Sequence, residues 1–323
     1  MVRLLSGNDV AASVTMDEIV TAVEHVFGEY AAGDVVMPSK IYLDIAGHGD
    51  FRAMPAYVPS IGTAGIKWVN VHPENPAHGL PTVMATILLN DPATGSPIAI
   101  MDGTYVTDMR TGAAGGVAAK HLAKSAHTVG LIGSGRQAWT QMLAYRAVFG
   151  DRIRLVKIYS RRLEHSEALA RKIEMLLGYI VKPCRTPEEA CEADIIATTT
   201  PAREPILRPE WVRPGTHINA IGADAPGKQE LFTELTLKAR VFVDSIEQAS
   251  HSGEINIPWA RGLMNEKMLA GTIGQVINGT VPGRQGDEIT VFDSTGLSIQ
   301  DMAVAHIVYD RAMKTGRGTE FEF

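Results

Sequence analysis

Thr128-Val-Gly-Leu-Ile-Gly-Ser-Gly-Arg-Gln-Ala138 places a Gly-x-Gly-x-x-Ala turn directly after a short apolar run. The run is typical of a buried parallel strand, Gly133 allows a tight turn, and Gly135 lets a pyrophosphate approach the backbone. Ala138 stands where a small residue lets the next helix pack against the strand. Free N–H groups and the macrodipole at that helix start favour a phosphate. The stretch therefore predicts a dinucleotide-binding turn.

The surrounding sequence decides between this interpretation and a purely structural turn, which glycines also form. Residues 137–149 have a helical pattern that Gly150 ends, and residues 153–159 are rich in β-branched and apolar side chains. Helix-like and strand-like segments then alternate as far as a strand at 289–293 and a last helix at 299–313. Such alternation predicts a parallel sheet with helices on both faces.

Composition excludes several classes of protein. The 323 residues favour two domains, and apolar and charged fractions of 45% and 20% are those of an ordinary globular protein. A net charge of −6 gives no basic field for nucleic acid or an anionic membrane. No signal peptide or membrane span is evident, so we expect a cytoplasmic protein. Cys184 and Cys191 have no metal or redox spacing and are expected to be packing residues.

Two cations interrupt apolar strand-like segments in the N-terminal part, where a capped helix over residues 15–32 precedes strands near 51–55, 63–69, 82–89 and 98–101. Arg52 and Lys67 either point to solvent on alternate residues or face a cavity that holds an anion. Arg110 lies among small residues in Thr107-Asp-Met-Arg-Thr-Gly-Ala-Ala-Gly-Gly116. It is either a surface side chain or a cation near a closely approaching cofactor.

Six motifs in one order resemble those of the ornithine cyclodeaminase/μ-crystallin family. They are Arg52-Ala-Met-Pro, Lys67-Trp-Val-Asn-x-His-Pro, Arg110-Thr-Gly-Ala, Gly133-x-Gly-x-Gln, Gly222-Ala-Asp-Ala-Pro-Gly-Lys and Phe292-Asp-Ser-Thr-Gly. Within the family the chain is similar to the archaeal-type alanine dehydrogenases. The resemblance implies an α/β fold, with a Rossmann-type doubly wound parallel sheet over residues 121–298. It also implies a discontinuous α+β substrate-binding and dimerisation domain over 1–120 with 299–323, and a homodimer.

The resemblance also implies roles for the charged residues. Lys67 and Arg110 match residues that hold the substrate carboxylate beside the nicotinamide, and Arg52 matches a substrate contact of the alanine dehydrogenases. In such a pocket the pKa of Lys67 should fall, so that it can transfer protons. Asp224 matches a carboxylate that acts as acid/base; its alternative role is to cap the turn before Pro226.

The substrate is expected to be a small L-amino acid. Cyclodeaminases that resemble this chain have a Glu where it has Arg52, and Arg52 would repel a second ammonium group. We therefore expect reversible oxidation of L-alanine to pyruvate and ammonia through an imine. The alternatives are an ornithine cyclodeaminase, which forms L-proline without net cofactor change, and a ketimine reductase or binder of the μ-crystallin kind.

Cofactor choice is expected at the end of the second strand of the dinucleotide domain, where a carboxylate would select NAD. Ser160, Arg161 and Arg162 stand there instead, so the sequence predicts NADP(H), with NAD(H) possible; the alternative is two solvated arginines. Further cofactor contacts follow from the motifs: Thr82, Arg110, Thr111, Gly133, Gly135, Arg136, Gln137, Thr200, Ile221, Gly222, Ala223, Asp224, Lys228 and Ser294. No metal is expected, because prolines separate His72 from His78 and prevent a one-face helical pair.

Overall fold

A computed structural model describes residues 1–322 of the chain. Packing divides the chain into two compact units, Met1–Arg110 with Leu297–Phe323 (unit 1) and Thr111–Gly296 (unit 2). The limits predicted for the functional domains, 120 and 299, differ from this division mainly within one long helix.

The elements follow in chain order. Residues 1–122 form β1 Val2–Leu5, α1 Gly7–Ala11, α2 Met16–Ala32, β2 Ile41–Ile45, β3 Gly49–Val58, β4 Thr63–Val71, β5 Val83–Asn90, β6 Pro97–Asp102 and α3 Thr104–Leu122. The remaining elements are β7 Thr128–Ile132, α4 Arg136–Phe149, β8 Leu155–Tyr159, α5 Leu163–Leu177, β9 Ile180–Cys184, α6 Pro187–Cys191, β10 Ile195–Thr198, β11 His217–Ala220, α7 Thr233–Lys238, β12 Arg240–Val243, α8 Ile246–Ser252, α9 Asn256–Ala260, β13 Gly271–Thr272, α10 Ile273–Ile277, β14 Thr290–Asp293, α11 Ser298–Thr315 and β15 Thr319–Phe321. Short 3-10 turns cover Pro59–Ile61, Asn75–His78, Gly150–Arg152, Pro209–Trp211 and Glu266–Met268.

Unit 2 is a parallel sheet with a hydrophobic core on each face. Its strand order is β13-β12-β14-β11-β10-β7-β8-β9, and each neighbouring pair is parallel. Alternation along β7 explains the two cores, since Leu131 packs with residues of α4 and α5 while Ile132 packs with residues of α6, α7 and α8. The order leaves β7 between β8 and β10, where the connections diverge. This confirms the predicted Rossmann-type, doubly wound α/β fold.

Unit 1 is a mixed sheet with helices, built from both ends of the chain. The order is β15-β1-β6-β5-β4-β3-β2, in which β1 and β6 are parallel and the other pairs antiparallel. Thr15 and Glu18 form a capping box that begins α2, and Gly33 ends the helix with φ +82°. Glu18 also accepts a 2.6 Å hydrogen bond from Arg311 on α11. The predicted discontinuous α+β domain is therefore confirmed as a fold.

Two features are absent from residues 1–322. No helix in that range combines the length and the apolar character needed to cross a membrane. Nor does that part of the chain gather three or more His, Cys, Asp or Glu side chains in a group that could hold a metal ion.

Candidate functional site

Strands β3 and β4 place two buried cations in unit 1. Their antiparallel register pairs Met54 with Lys67 and Arg52 with Val69. The Arg52 side chain is 6% exposed and that of Lys67 is fully buried. Neither side chain therefore takes the solvent-facing alternative that the alternation of a strand left open.

Asp301 is the counter-ion of this cluster, and sequence analysis missed it. Its Oδ2 lies 2.7 Å from Lys67 Nζ, and its Oδ1 accepts a 3.1 Å hydrogen bond from Arg110 Nε. Arg110 also donates to Gln300 Oε1 at 3.1 Å. Asp301 is fully buried in the first turn of α11, where a carboxylate also suits the helix macrodipole. In the sequence, Asp301 is recognisable only as an acidic residue near a helix start, and that position does not indicate a contact with Lys67.

The second group that sequence analysis missed surrounds Tyr42 on β2. Asp50 accepts two hydrogen bonds from Arg52, at 2.7 Å and 3.3 Å. The Arg52 guanidinium also lies 5.2 Å from the Tyr42 ring centroid, and the ammonium of buried Lys40 lies 6.0 Å from it. With Lys67 and Arg110, unit 1 has four buried cations; Asp50 pairs with Arg52, and Asp301 pairs with Lys67 and Arg110.

Lys67 has an unusual protonation equilibrium. Complete burial and the charge of Arg110 together lower its pKa to about 7, against the opposing effect of Asp301. The charge of Lys40 acts in the same direction as that of Arg110. Although its ammonium lies at ion-pair distance from Asp301, within residues 1–322 it makes no hydrogen bond of good geometry. Lys67 can therefore change protonation near neutral pH and still donate to a ligand.

The glycine turn of unit 2 has the geometry expected for phosphate binding. Gly133 has φ +110°, and a Cβ there would come within 2.6 Å of Thr199 Oγ1, so a side chain is excluded. Gly135 precedes α4, and a Cβ built there meets no atom within 4 Å. Open space over a helix N-terminus leaves room for an anion at its N–H groups.

A cavity of about 620 Å³ opens beside this turn, at the carboxyl ends of β7, β8 and β10. Its lining includes five predicted cofactor residues: Gly133, Gly135, Ser160, Arg161 and Thr200. His165, Arg203 and Glu204 also line it, and sequence analysis missed them. Arg162 does not line this cavity; it is exposed at the start of α5.

The segment after β11 holds Asp224 in an ion pair. Lys228 Nζ donates to Asp224 Oδ1 at 2.6 Å, and the Asp224 side chain is 33% exposed. Asn256 supports the segment by donating to the Lys228 carbonyl and accepting from Gly227 N–H. Asp224 is therefore a partly exposed carboxylate on a braced loop.

The other predicted cofactor residues lie outside the cavity lining. In unit 1, Thr82 accepts a backbone hydrogen bond from His72. In unit 2, Arg136 is the first residue of α4, Gln137 accepts from Thr140, and the Thr111 carbonyl accepts from Gln141. Ile221, Gly222 and Ala223 follow β11.

Ser294, a predicted cofactor residue directly after β14, has a buried side chain. It is 3% exposed, and its hydroxyl has no hydrogen-bond partner among residues 1–322. A buried hydroxyl without a partner is costly, which fits a ligand contact.

Known proteins resemble the chain over its whole length. The alanine dehydrogenase of Archaeoglobus fulgidus is 49% identical, over 99% of this chain and 98% of the relative. A solved archaeal alanine dehydrogenase dimer with bound NAD has 48% identity and a TM-score of 0.95, covering 100% of this chain and 99% of that one. The Thermococcus litoralis Δ1-pyrroline-2-carboxylate reductase, solved with NADH and L-proline, has 36% identity and a TM-score of 0.95, covering 99% and 100%.

The family model agrees with these likenesses. It matches residues 2–316, which include both units of the fold and each of the six motifs. The chain belongs to the ornithine cyclodeaminase/mu-crystallin family.

Proposed function

We propose that the chain is an NAD(P)-dependent oxidoreductase that converts a small L-amino acid, L-alanine, to its 2-oxo acid and ammonia. The observation that carries this proposal is the buried cluster of Lys67, Arg110 and Asp301, in which two cations share one carboxylate. Burying cations is costly unless an anion compensates them, so the cluster suits one substrate carboxylate.

The dinucleotide fits the residues of unit 2. The positive φ of Gly133, the open space at Gly135, the cavity and the unpartnered hydroxyl of Ser294 each suit a bound dinucleotide. When bound, the nicotinamide would supply the hydride acceptor. The chain's own residues then have to orient the amino acid and move protons.

Proton transfer is assigned to Lys67 and Asp224. In the oxidative direction, neutral Lys67 would accept the proton that water loses as it adds to the iminium carbon, and would return it to the nitrogen that leaves as ammonia. A Lys whose pKa lies near 7 is suited to this exchange at neutral pH. Asp224 would hold the substrate ammonium and accept its proton, in exchange for its ion pair with Lys228.

The activity test compares three substrates while nicotinamide absorbance is followed. Net reduction of the cofactor with L-alanine supports the proposal. Proline formed from L-ornithine without net reduction would instead establish a cyclodeaminase. Oxidation of the reduced cofactor by Δ1-pyrroline-2-carboxylate, without alanine turnover, would establish an imine reductase, the activity named for the relative solved with L-proline.

We expect Arg52→Ala to raise the KM for alanine about 10- to 100-fold, the range of a lost hydrogen bond to a charged group, with a much smaller change in kcat. The reason is that Arg52 would bind the substrate through an interaction made equally before and during hydride transfer. Steady-state kinetics measure both constants. Arg52→Lys is the matched control, which keeps the charge but not the forked donor, and its KM should lie between the two. An unchanged KM in Arg52→Ala would remove Arg52 from the substrate site.

We propose NADP(H) as the preferred cofactor. Ser160, Arg161 and His165 line the cavity beyond β8 and suit a 2′-phosphate. Glu204 is the carboxylate in the lining, and it comes from the loop after β10 rather than from the end of β8. The solved relatives carry NAD or NADH, so this preference would set the chain apart from them.

Arg161→Ala tests the cofactor assignment. We expect kcat/KM with NADP(H) to fall about 10- to 100-fold, because a charge-assisted contact to the 2′-phosphate is lost, and kcat/KM with NAD(H) to change little. Arg162→Ala is the neighbouring control, since Arg162 is exposed and does not line the cavity. A wild-type enzyme that strongly prefers NAD(H) contradicts the assignment.

We further propose that unit 1 mediates a homodimer. Ile41 and Leu43 on the edge strand β2 are 65% and 51% exposed, and Trp68 on β4 is 41% exposed. Exposed large apolar side chains of this kind mark contact surfaces. Sedimentation should give a dimer, and Ile41→Lys with Leu43→Lys should give monomers; a monomeric wild type would contradict the proposal.

A further inference from the structure

Glu230 is a buried carboxylate that the proposed function does not use. It is fully buried in unit 2, between the Asp224 loop and α7. Its Oε1 accepts from Thr200 N–H at 2.6 Å and from the Thr200 hydroxyl at 2.7 Å. Its Oε2 accepts from the Thr198 hydroxyl at 2.7 Å and from Gly222 N–H at 2.8 Å. One carboxylate thus joins the loop after β10 to the loop after β11.

The two loops approach each other too closely for a side chain to lie between them. A Cβ on Gly222 would lie 2.1 Å from the Thr200 carbonyl oxygen and 2.6 Å from Glu230 Oε2. Strands β10 and β11 are parallel neighbours, and the pair Thr198 and Ala220 is the last of their register. The Glu230 carboxylate therefore sets the spacing of the two loops where the sheet no longer does.

The segment behind Glu230 is itself held in place. Glu254 accepts from the N–H groups of Glu230, at 3.0 Å, and Leu231, at 2.7 Å. Burial raises the pKa of Glu254 well above its ordinary value, and the charge of Glu230 adds to the effect. The backbone at Glu230 is thus fixed independently of its carboxylate.

Both loops carry residues of the proposed site. Thr200 lines the 620 Å³ cavity, and Gly222 stands two residues before Asp224. A shift in the Gly222 loop would move Asp224, and a shift at Thr200 would change the cavity wall. Misplacing reacting groups by about 1 Å can cost about 100-fold in rate.

We propose that Glu230 is a positioning residue, which holds Thr200 and Gly222 at the spacing that aligns the dinucleotide and Asp224 for hydride transfer. This inference rests on the proposed dinucleotide-dependent function. A residue that only stabilises unit 2 would lower the melting temperature without changing the rate of each folded, cofactor-loaded site. Positioning changes that rate.

Glu230→Gln tests this inference, because it keeps the size of the side chain but turns one acceptor oxygen into an NH2 that faces a donor. The number of folded sites is first counted by fluorescence titration with the preferred reduced dinucleotide. We expect kcat per titrated site to fall about 10- to 100-fold. With α-deuterated alanine, the isotope effect on kcat should rise, because hydride transfer becomes slower than the other steps.

Glu254→Gln is the matched control, a neighbouring buried carboxyl that contacts the backbone of residues 230 and 231 rather than either loop. One amide oxygen can still accept both N–H groups, so kcat per site should stay within about threefold of the wild type. If Glu230→Gln does not fold, Thr198→Val is used as the test variant. This substitution removes a single buried hydrogen-bond donor to Glu230. A roughly 2- to 10-fold lower kcat per site is expected there, about the cost of one hydrogen bond.

The outcomes separate the two proposals. Wild-type kcat and isotope effect in Glu230→Gln, or in Thr198→Val where that variant is used, overturn the positioning role and leave the proposed function standing. A wild-type chain that binds neither dinucleotide overturns both.

Discussion

Lys67→Met is expected to lower kcat for alanine by about 1,000-fold, within the usual range for a lost acid–base group. Methionine fills the same buried volume but cannot carry a proton. In the wild type, kcat/KM for alanine oxidation should rise with pH and level off above about 7, the pKa of Lys67, because the neutral amine is the base. Amination of pyruvate should show the opposite trend, since the protonated form is the acid. Steady-state kinetics over this pH range measure both.

The melting temperature distinguishes lost chemistry from lost fold. Asp301 keeps its hydrogen bond from Arg110 in Lys67→Met, so the carboxylate is not left alone. Because burial lowers the folded pKa of Lys67 to about 7 from 10.5, the unfolded chain binds more protons between these values, and this residue makes stability rise with pH there. The rise should be smaller in Lys67→Met. A variant that keeps more than about a tenth of wild-type kcat would remove Lys67 from proton transfer.

Asp301→Asn is expected to destabilise the protein by about 3–5 kcal/mol, because it leaves the buried charges of Lys67 and Arg110 without their carboxylate. For a chain of this size the melting temperature should fall by roughly 6–20 °C. The pKa of Lys67 should also fall further, since Asp301 is the group that raises it. Calorimetry and the pH profile of kcat/KM measure the two effects.

Glu18→Gln is the matched control, because Glu18 pairs with Arg311, which lies on the same helix as Asp301. It weakens the ion pair with Arg311, whose side chains are 35% and 40% exposed, and exposed pairs contribute about 0–1 kcal/mol. Adding Lys67→Met to Asp301→Asn should restore part of the lost stability, because one uncompensated cation is removed. Equal losses in Glu18→Gln and Asp301→Asn would contradict the buried-charge account.

The fold was largely predictable because its signals are local. The Gly133 turn, the capping box at Thr15 and the alternation of helix and strand each lie within a few residues, and each was confirmed. Boundaries shifted where the local signal is weak: the strand predicted near residues 51–55 extends from Gly49 to Val58.

The candidate site was only partly predictable, because its contacts are not local. A cation in a strand faces one side or the other of a sheet, and the sequence around Arg52 and Lys67 does not say which side is buried. Asp301 was missed because its partner Lys67 lies more than 200 residues away in sequence. Lys40 was missed because it lies near Arg52 at the Tyr42 ring, and the pairing of the two strands that carry Tyr42 and Arg52 is a tertiary feature.

The construction of unit 1 from both chain ends has a consequence for biosynthesis. The ribosome makes Lys67 and Arg110 long before Asp301, which belongs to the last segment, Leu297–Phe323. At about 5–20 residues per second, the delay between Lys67 and Asp301 is roughly 10–50 s. Throughout that interval the nascent cation cluster lacks its buried counter-charge, whereas the residues of unit 2 emerge in one continuous stretch. Unit 2 can therefore fold as it emerges, whereas unit 1 gains Asp301 only after the whole of unit 2 has been made.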